Sequence, residues 1–114
     1  MSKKYYNKLV RDKVPVIIES KSNVKCHTRI IEDEDFESAI KFKLLEEVQE
    51  FIESDMDIEE MADIFEVVDT ILDFNDWTMD DVKKVQSEKA EEKGKFYDGT
   101  YLVYTEVLED GKEQ

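Results

Sequence analysis

The sequence predicts an all-α fold, mostly a small antiparallel helix bundle, with short extended segments at both ends. Apolar residues recur at spacings of three and four over two long stretches, which is the periodicity of amphipathic helices. The chain has 114 residues with only three glycines and one proline, too few for a turn-rich sandwich. We expect one domain over residues 1–114, made of a basic arm (1–31), a helical core (33–94) and an extended segment (95–108).

The first two helices follow from a proline and from the apolar periodicity. Pro15 favours a short helix at its position, because proline is tolerated in a first turn, where its missing N–H is not needed. The second helix should span residues 33–54, with Asp33 as its N-cap. Its expected apolar face consists of Ile40, Leu44, Leu45, Val48, Phe51 and Ile52.

The third and fourth helices follow from periodicity and from capping residues. Residues 58–76 should form the third helix behind the capping residue Asp57. Its expected apolar face consists of Met61, Ile64, Phe65, Val68, Ile71 and Leu72. Residues 79–93 should form a more polar fourth helix that Gly94 ends. The connection between the second and third helices is short, which favours an antiparallel hairpin.

Two extended segments flank the helical core. Residues 24–31 precede the second helix, and residues 100–107 are rich in the β-branched and aromatic residues that favour strands. Two β pairings are open for the later segment: one with residues 24–31, and one with a partner chain.

Charge divides the chain into a basic arm and an acidic body. The protein has 16 lysines and arginines against 30 acidic residues, a formal net charge of −14. Residues 1–31 hold eight of the bases and two of the acids, so the remainder is strongly acidic. This balance argues against binding to a nucleic acid polymer or an anionic membrane. The arm relieves the body's self-repulsion by docking on it, or brings cations to an anionic ligand, and these roles are compatible.

Composition also bears on where the protein works. No apolar run approaches the roughly 20 residues that span a bilayer, and the first residues lack the apolar core of a signal peptide. Cys26 is the only cysteine, so it makes no internal disulfide, and we expect a cytoplasmic protein. Cys26 and the adjacent His27 should have structural roles, because they are too few for a zinc site.

Acidic pairs on the second and third helices are the main functional signal. Glu47 and Glu50 lie three residues apart on one helix, as do Glu60 and Asp63 on the next. Folding the hairpin about residues 55–56 brings both pairs to nearly the same height. Carboxylates that converge between two helices are a typical site for Mg²⁺ or Mn²⁺.

Other interpretations of these acids stay open. In a chain this acidic, aligned carboxylates also arise on solvated faces, and Glu60 alternatively completes a capping box with Asp57. A second pair, Glu66 and Asp69, competes for the metal. At its level the second helix offers apolar residues instead of a carboxylate, so the earlier pair is preferred.

The acidic pairs belong to a longer pattern, Glu46-Glu47-x-x-Glu50 followed by Glu59-Glu60-x-x-Asp63. This pattern resembles the signature of the MazG-like superfamily of all-α nucleoside triphosphate pyrophosphohydrolases. Residues 7–15 (NKLVRDKVP), 89–96 (KAEEKGKF) and 99–102 (GTYL) are similar to segments of a small single-domain, house-cleaning subgroup. The resemblance covers about residues 6–108.

The resemblance implies Mg²⁺-dependent hydrolysis of a nucleoside triphosphate to monophosphate and pyrophosphate, with Mn²⁺ as a substitute metal. Its purpose would be to remove aberrant or surplus nucleotides, in a homodimer or homotetramer. The implied metal ligands are Glu47, Glu50, Glu60 and Asp63, and the implied catalytic carboxylates are Glu46 and Glu47. Cations must offset the triphosphate charge, and the candidates are Lys89 and Lys93 on the fourth helix and Lys8 and Arg11 in the arm.

Some features depart from the family, and other functions are open. Lys93 stands where relatives often carry arginine, which weakens bidentate phosphate binding there. Arg11 alternatively serves only as an ion pair that fastens the arm to the body. The whole chain is alternatively a non-enzymatic acidic protein that mimics DNA, or a homologue that has lost activity and senses nucleotides.

Overall fold

The computed structural model describes residues 2–109 and is entirely helical in its regular structure, which confirms the predicted all-α class. The helices are α1 (Val14–Lys21), α2 (Asp33–Glu53), α3 (Ile58–Phe74) and α4 (Met79–Lys93). The chain divides into two compact units, residues 1–78 and residues 79–114. The described range 2–109 contains no strand, so the open possibility of a β pairing between residues 24–31 and 100–107 is wrong.

The helix ends show which capping predictions hold. The N-cap of α2 is Glu32, without a side-chain capping bond, so the assignment of Asp33 as N-cap is wrong. At α3 the prediction is confirmed, because the Asp57 side chain accepts a hydrogen bond from the Glu59 N–H at 3.2 Å. Gly94 ends α4 as predicted: its φ is +84°, in the left-handed region that glycine enters without strain.

A turn of residues 54–57 joins α2 to α3. The Met56 N–H donates to the Phe51 carbonyl at 3.1 Å, which satisfies one of the last acceptors of α2. Asp55 and Met56 both have positive φ, +62° and +66°. Aspartate enters this region fairly readily, whereas methionine does so at a cost. The turn therefore stores some strain in order to reverse the chain within a few residues.

The two helices of the hairpin are antiparallel, as predicted. The Phe36 ring in the second turn of α2 lies 5.4 Å from the Phe74 ring at the end of α3. The start of one helix therefore lies beside the end of the other, while the turn of residues 54–57 closes the opposite end.

The core between α2 and α3 is narrow. Its buried apolar side chains are Ile40, Val67 and Leu72. Other members of the predicted apolar faces are half-buried, but Leu45, Ile52 and Phe65 are exposed. The apolar periodicity is therefore wider than the strip along which the helices contact each other.

The remaining parts of the chain are more open. α1 and α4 contain no buried residue. Cys26 folds back on α1, where its N–H donates to Glu19 Oε2 at 2.8 Å and its Sγ lies 3.7 Å from the Pro15 carbonyl oxygen. In residues 2–109, no helix combines the length and the apolar character that a membrane crossing requires.

Ile40→Ala should lower the free energy of unfolding by about 2–4 kcal/mol, because Ile40 is 4% exposed at the helix contact. Urea unfolding followed by circular dichroism measures the change. Ile30→Ala is the matched control, since Ile30 is 87% exposed and should cost little. Equal losses in the two variants would contradict the assigned core.

Candidate metal centre

α2 and α3 bring three carboxylates together. One oxygen each from Glu47, Glu60 and Asp63 lies within 4.8 Å of the others. Glu47 follows the buried Ile40 by two turns of α2, and Glu60 precedes the buried Val67 by two turns of α3. Residues seven apart share a helix face, so the acids continue the strip that carries the core. The packing of the hairpin therefore forces these carboxylates to converge.

Two oxygens of this acidic cluster (Glu47, Glu60 and Asp63) have no partner. Glu47 is 7% exposed, and its Oε2 and the Oε2 of Glu60 are buried without a hydrogen bond in the structure. A buried carboxylate oxygen is costly unless a donor or a cation satisfies it. The capping-box role of Glu60 is not formed, because the Asp57 N–H donates instead to Ser54 Oγ at 3.2 Å. The two buried carboxylate oxygens therefore attract a cation or a hydrogen-bond donor to this site.

Protonation equilibria reflect the same concentration of negative charge. Burial, followed by the charge of Asp63 and a hydrogen bond with it, raises the pKa of Glu60. A hydrogen bond with Glu47 raises the pKa of Glu50, with burial and the Glu47 charge adding to it. Glu50 is exposed and stands outside the three-oxygen set, but it lies against Glu47. Of the four predicted ligands, three converge and the fourth borders them.

Lys43 is a member of the site that the sequence analysis missed. Its ammonium donates to Glu46 Oε1 at 2.7 Å and lies 3.3 Å from Glu47 Oε1, and its side chain is 16% exposed. Burial lowers the pKa of Lys43, but the hydrogen bonds and charges of Glu46 and Glu47 outweigh it and leave the pKa raised. The i, i+3 and i+4 spacing was visible in the sequence, although such pairs are common on solvated helices.

Glu46 is held by cations on two sides. The hydrogen bond from Lys43 is the main reason that its pKa is lowered, and Lys8 of the arm lies 3.5 Å from its Oε2. Lys8, one of the predicted phosphate-binding residues, is therefore near the acidic cluster. Its ion pair joins the arm to α2.

Arg11 joins the arm to α3. Its Nη2 donates to Asp63 Oδ1 at 2.7 Å, and its Nη1 lies 3.7 Å from Glu66 Oε1. The predicted ion pair between Arg11 and the body is confirmed. Glu66, the competing ligand considered from the sequence, contacts this arginine and is outside the three-oxygen set.

The remaining sequence candidates are two lysines on α4 and one aspartate on α3. Lys89 and Lys93 are exposed and one turn apart on α4, which belongs to the second unit. Asp69 is exposed on α3 and does not join the three-oxygen set.

Comparisons with protein-family models, with curated proteins and with solved structures find no match to this chain. The MazG-like resemblance therefore stays a prediction from its motifs, and any function must be argued from the residues themselves.

In metal-free protein, Glu60→Gln should raise the melting temperature at pH 8. The folded-state pKa of Glu60 is raised, so its contribution to stability is full below the unfolded pKa and is lost as the pH rises through the folded pKa. The gain from the substitution should therefore shrink as the pH falls to about 4, where glutamate becomes neutral as well. Thermal unfolding of both proteins between pH 4 and pH 8, in the presence of a metal chelator, measures the difference in melting temperature.

Glu59→Gln is the control for this experiment, because Glu59 is the exposed neighbour in the same first turn of α3. Glu59→Gln removes the same charge at the same helix end but does not reduce the repulsion among the carboxylates of the acidic cluster. A gain for Glu59→Gln as large as that for Glu60→Gln, or a loss for Glu60→Gln at pH 8, would contradict the repulsion described here.

Proposed function

We propose that this protein is a Mg²⁺-dependent hydrolase that splits a nucleoside triphosphate into the monophosphate and pyrophosphate. The observation that carries the proposal is the convergence of Glu47, Glu60 and Asp63 where two carboxylate oxygens are buried without partners. An oxygen-only donor set suits the hard cations Mg²⁺ and Mn²⁺. The chemistry suits such a site, because transfer at phosphorus depends mainly on positioning and charge neutralisation.

The residues that would hold the cation are Glu47, Glu60 and Asp63, with Glu50 beside Glu47 as the fourth candidate. When bound, Mg²⁺ supplies positive charge to phosphate oxygens and acidity to a coordinated water. The buried position of Glu47 supports a fixed ligand, whereas Glu50 is exposed, stands outside the converging set and need not ligate the metal.

Proton transfer is better assigned to Glu50 than to Glu46. Two ammonium groups hold Glu46, and its lowered pKa makes it a weak proton acceptor. Glu50 has a raised pKa and is exposed to water beside Glu47. We therefore assign Glu46 to the support of Lys43, and Glu50 to accept the proton of the attacking water.

The triphosphate needs further positive charge, and the arm places two cations beside the hairpin. Lys8 contacts Glu46 on α2, and Arg11 contacts Asp63, a member of the acidic cluster, on α3. A guanidinium binds phosphate oxygens in pairs, which favours Arg11 for this role. Lys89 and Lys93 are proposed as additional phosphate-binding residues from their i, i+4 spacing on α4.

We further propose a homodimer or homotetramer in the cytoplasm. Large apolar side chains are exposed on the hairpin, namely Phe42, Leu45, Ile52, Ile58 and Phe65. Contact with a second copy would remove this apolar surface from water. An unpaired Cys26 fits a reducing compartment.

A panel of ribo-, deoxyribo- and damaged nucleoside triphosphates, with and without Mg²⁺, tests the activity. Monophosphate and pyrophosphate should form from at least one substrate only when Mg²⁺ is present. Glu47→Gln keeps the shape of the side chain but removes a ligand charge, so it should reduce turnover by at least about 100-fold. Chromatography of the products measures both results.

Glu53→Gln is the matched control for Glu47→Gln, because Glu53 is an exposed acid on the same helix. It should leave turnover within about twofold, as expected of a surface change. Full Mg²⁺-dependent activity in Asp63→Ala would refute the ligand assignment. Metal binding without any product would favour the nucleotide sensor, and neither binding nor product would favour the DNA mimic.

Light scattering after size-exclusion chromatography should give a mass of two or four times the chain mass of 13.5 kDa. The physical reason is the apolar surface that the single chain leaves exposed on α2 and α3. A monomer at 100 µM protein would contradict the oligomer, while leaving the metal site to be judged by the hydrolysis panel.

A further inference from the structure

We infer that Arg11 is a resident counter-ion of the acidic cluster, which a divalent cation displaces from Asp63, so that arm docking and metal binding oppose each other. The inference rests on the metal site of the proposed function and deepens it by naming the residue that sets the metal affinity. Towards the metal, Arg11 acts through Asp63 and is a positioning residue; its proposed contact with phosphate is a separate role.

The first support is the contact itself. Arg11 Nη2 donates to Asp63 Oδ1 at 2.7 Å, and Asp63 is one of the three carboxylates that converge. A cation bound among those carboxylates brings a second positive charge to the same group. The two positive charges repel each other and share one counter-charge, so each weakens the binding of the other.

The second support is the distribution of cations around the cluster. On the α2 side, Lys43 already contacts Glu47, whose buried Oε2 is unpartnered. On the α3 side, the ion pairs found within residues 2–109 involve Arg11 alone. Arg11 is thus the cation whose release would return a full negative charge to the site when a metal ion arrives.

The third support is an alternative partner for the released guanidinium. Glu66 Oε1 lies 3.7 Å from Arg11 Nη1, and Glu66 follows Asp63 by three residues on α3. Arg11 can therefore leave Asp63 and still pair with Glu66, which keeps the arm beside the site. This gives Glu66 a function as the acceptor of Arg11 in the metal-bound protein.

Exposure makes the exchange easy. The Arg11 side chain is 55% exposed and Asp63 is 37% exposed, and ion pairs of this kind are individually weak. Coupling between two bound groups is reciprocal, so metal binding releases the arm by the same factor by which the docked arm weakens metal binding.

The chain has only two arginines, Arg11 and Arg29, which makes the inference directly observable. In ¹⁵N NMR of the full chain the guanidinium Nε groups give two signals, and the exposed Arg29 is an internal reference. Addition of Mg²⁺ without nucleotide should shift the Arg11 signal and leave that of Arg29 unchanged. In Glu66→Gln the same titration should take Arg11 to the position of a solvated guanidinium.

Affinity for Mn²⁺, measured from the paramagnetic resonance signal of the free ion, gives a second readout. Arg11→Gln should bind Mn²⁺ about three- to tenfold more tightly than the unmodified chain. Arg11→Lys retains the charge and should stay closer to the unmodified affinity. Lys13→Gln removes one charge from the same arm, two residues further on, and should change the affinity by less than about twofold.

The outcomes separate this inference from the proposed function. The inference is overturned if Arg11→Gln binds Mn²⁺ no more tightly than the unmodified chain, or if the NMR signal of Arg11 does not shift at saturating Mg²⁺. Either result leaves the metal site intact. Equal gains in Arg11→Gln and Lys13→Gln also overturn the inference, because they indicate general charge and not a specific contact. Absence of metal binding in every variant overturns the metal site and the proposed function together.

Discussion

The contact between α2 and α3 is the constraint on which the rest of the first unit depends. One strip on each helix provides both the apolar core and the acids. Ile40 and Glu47 lie on the same face of α2, seven residues apart, and Glu60 and Val67 lie on the same face of α3. Apolar burial drives the helices together, and the carboxylates are carried into proximity against their own repulsion. The hairpin cannot separate the acids without also exposing its core, so the charge demand of the site is a fixed property of the fold.

Two groups of cations partly neutralise these carboxylates, and they differ in how firmly they are held. Lys43 lies on the same helix as its partners, is largely buried and makes ion pairs with both Glu46 and Glu47. Lys8 and Arg11 come from the part of the arm that precedes α1, which has no regular structure, and make exposed contacts. The permanent cation leaves two carboxylate oxygens without partners. The site is therefore partly neutralised, which keeps the hairpin folded while retaining attraction for a further cation.

Periodicity and spacing predicted the helices and much of the site, because both depend on local geometry. The hairpin register brought Glu47, Glu60 and Asp63 together as expected, and Asp57 capped α3. Sequence could not tell which apolar residues are covered, since a helical face extends beyond the strip that a single neighbour contacts. It could not select Lys43 among many charged pairs, since burial and not spacing distinguishes that residue. The selection of Lys43 and the unformed pairing of residues 100–107 depend on tertiary surroundings, whereas the N-cap at Asp33 was misplaced by one residue.

The turn of residues 54–57 has a consequence for how the gene can change. An α-helix advances about 1.5 Å and turns about 100° with each residue. One residue inserted after the left-handed pair Asp55 and Met56 would alter the register of α3 against α2. Because the apolar residues and the acids share one strip, the core and the three carboxylates would leave the contact together. Selection should therefore eliminate insertions and deletions in this turn but tolerate them in residues 22–32. The length of the turn in related sequences would then indicate whether selection maintains the carboxylate site.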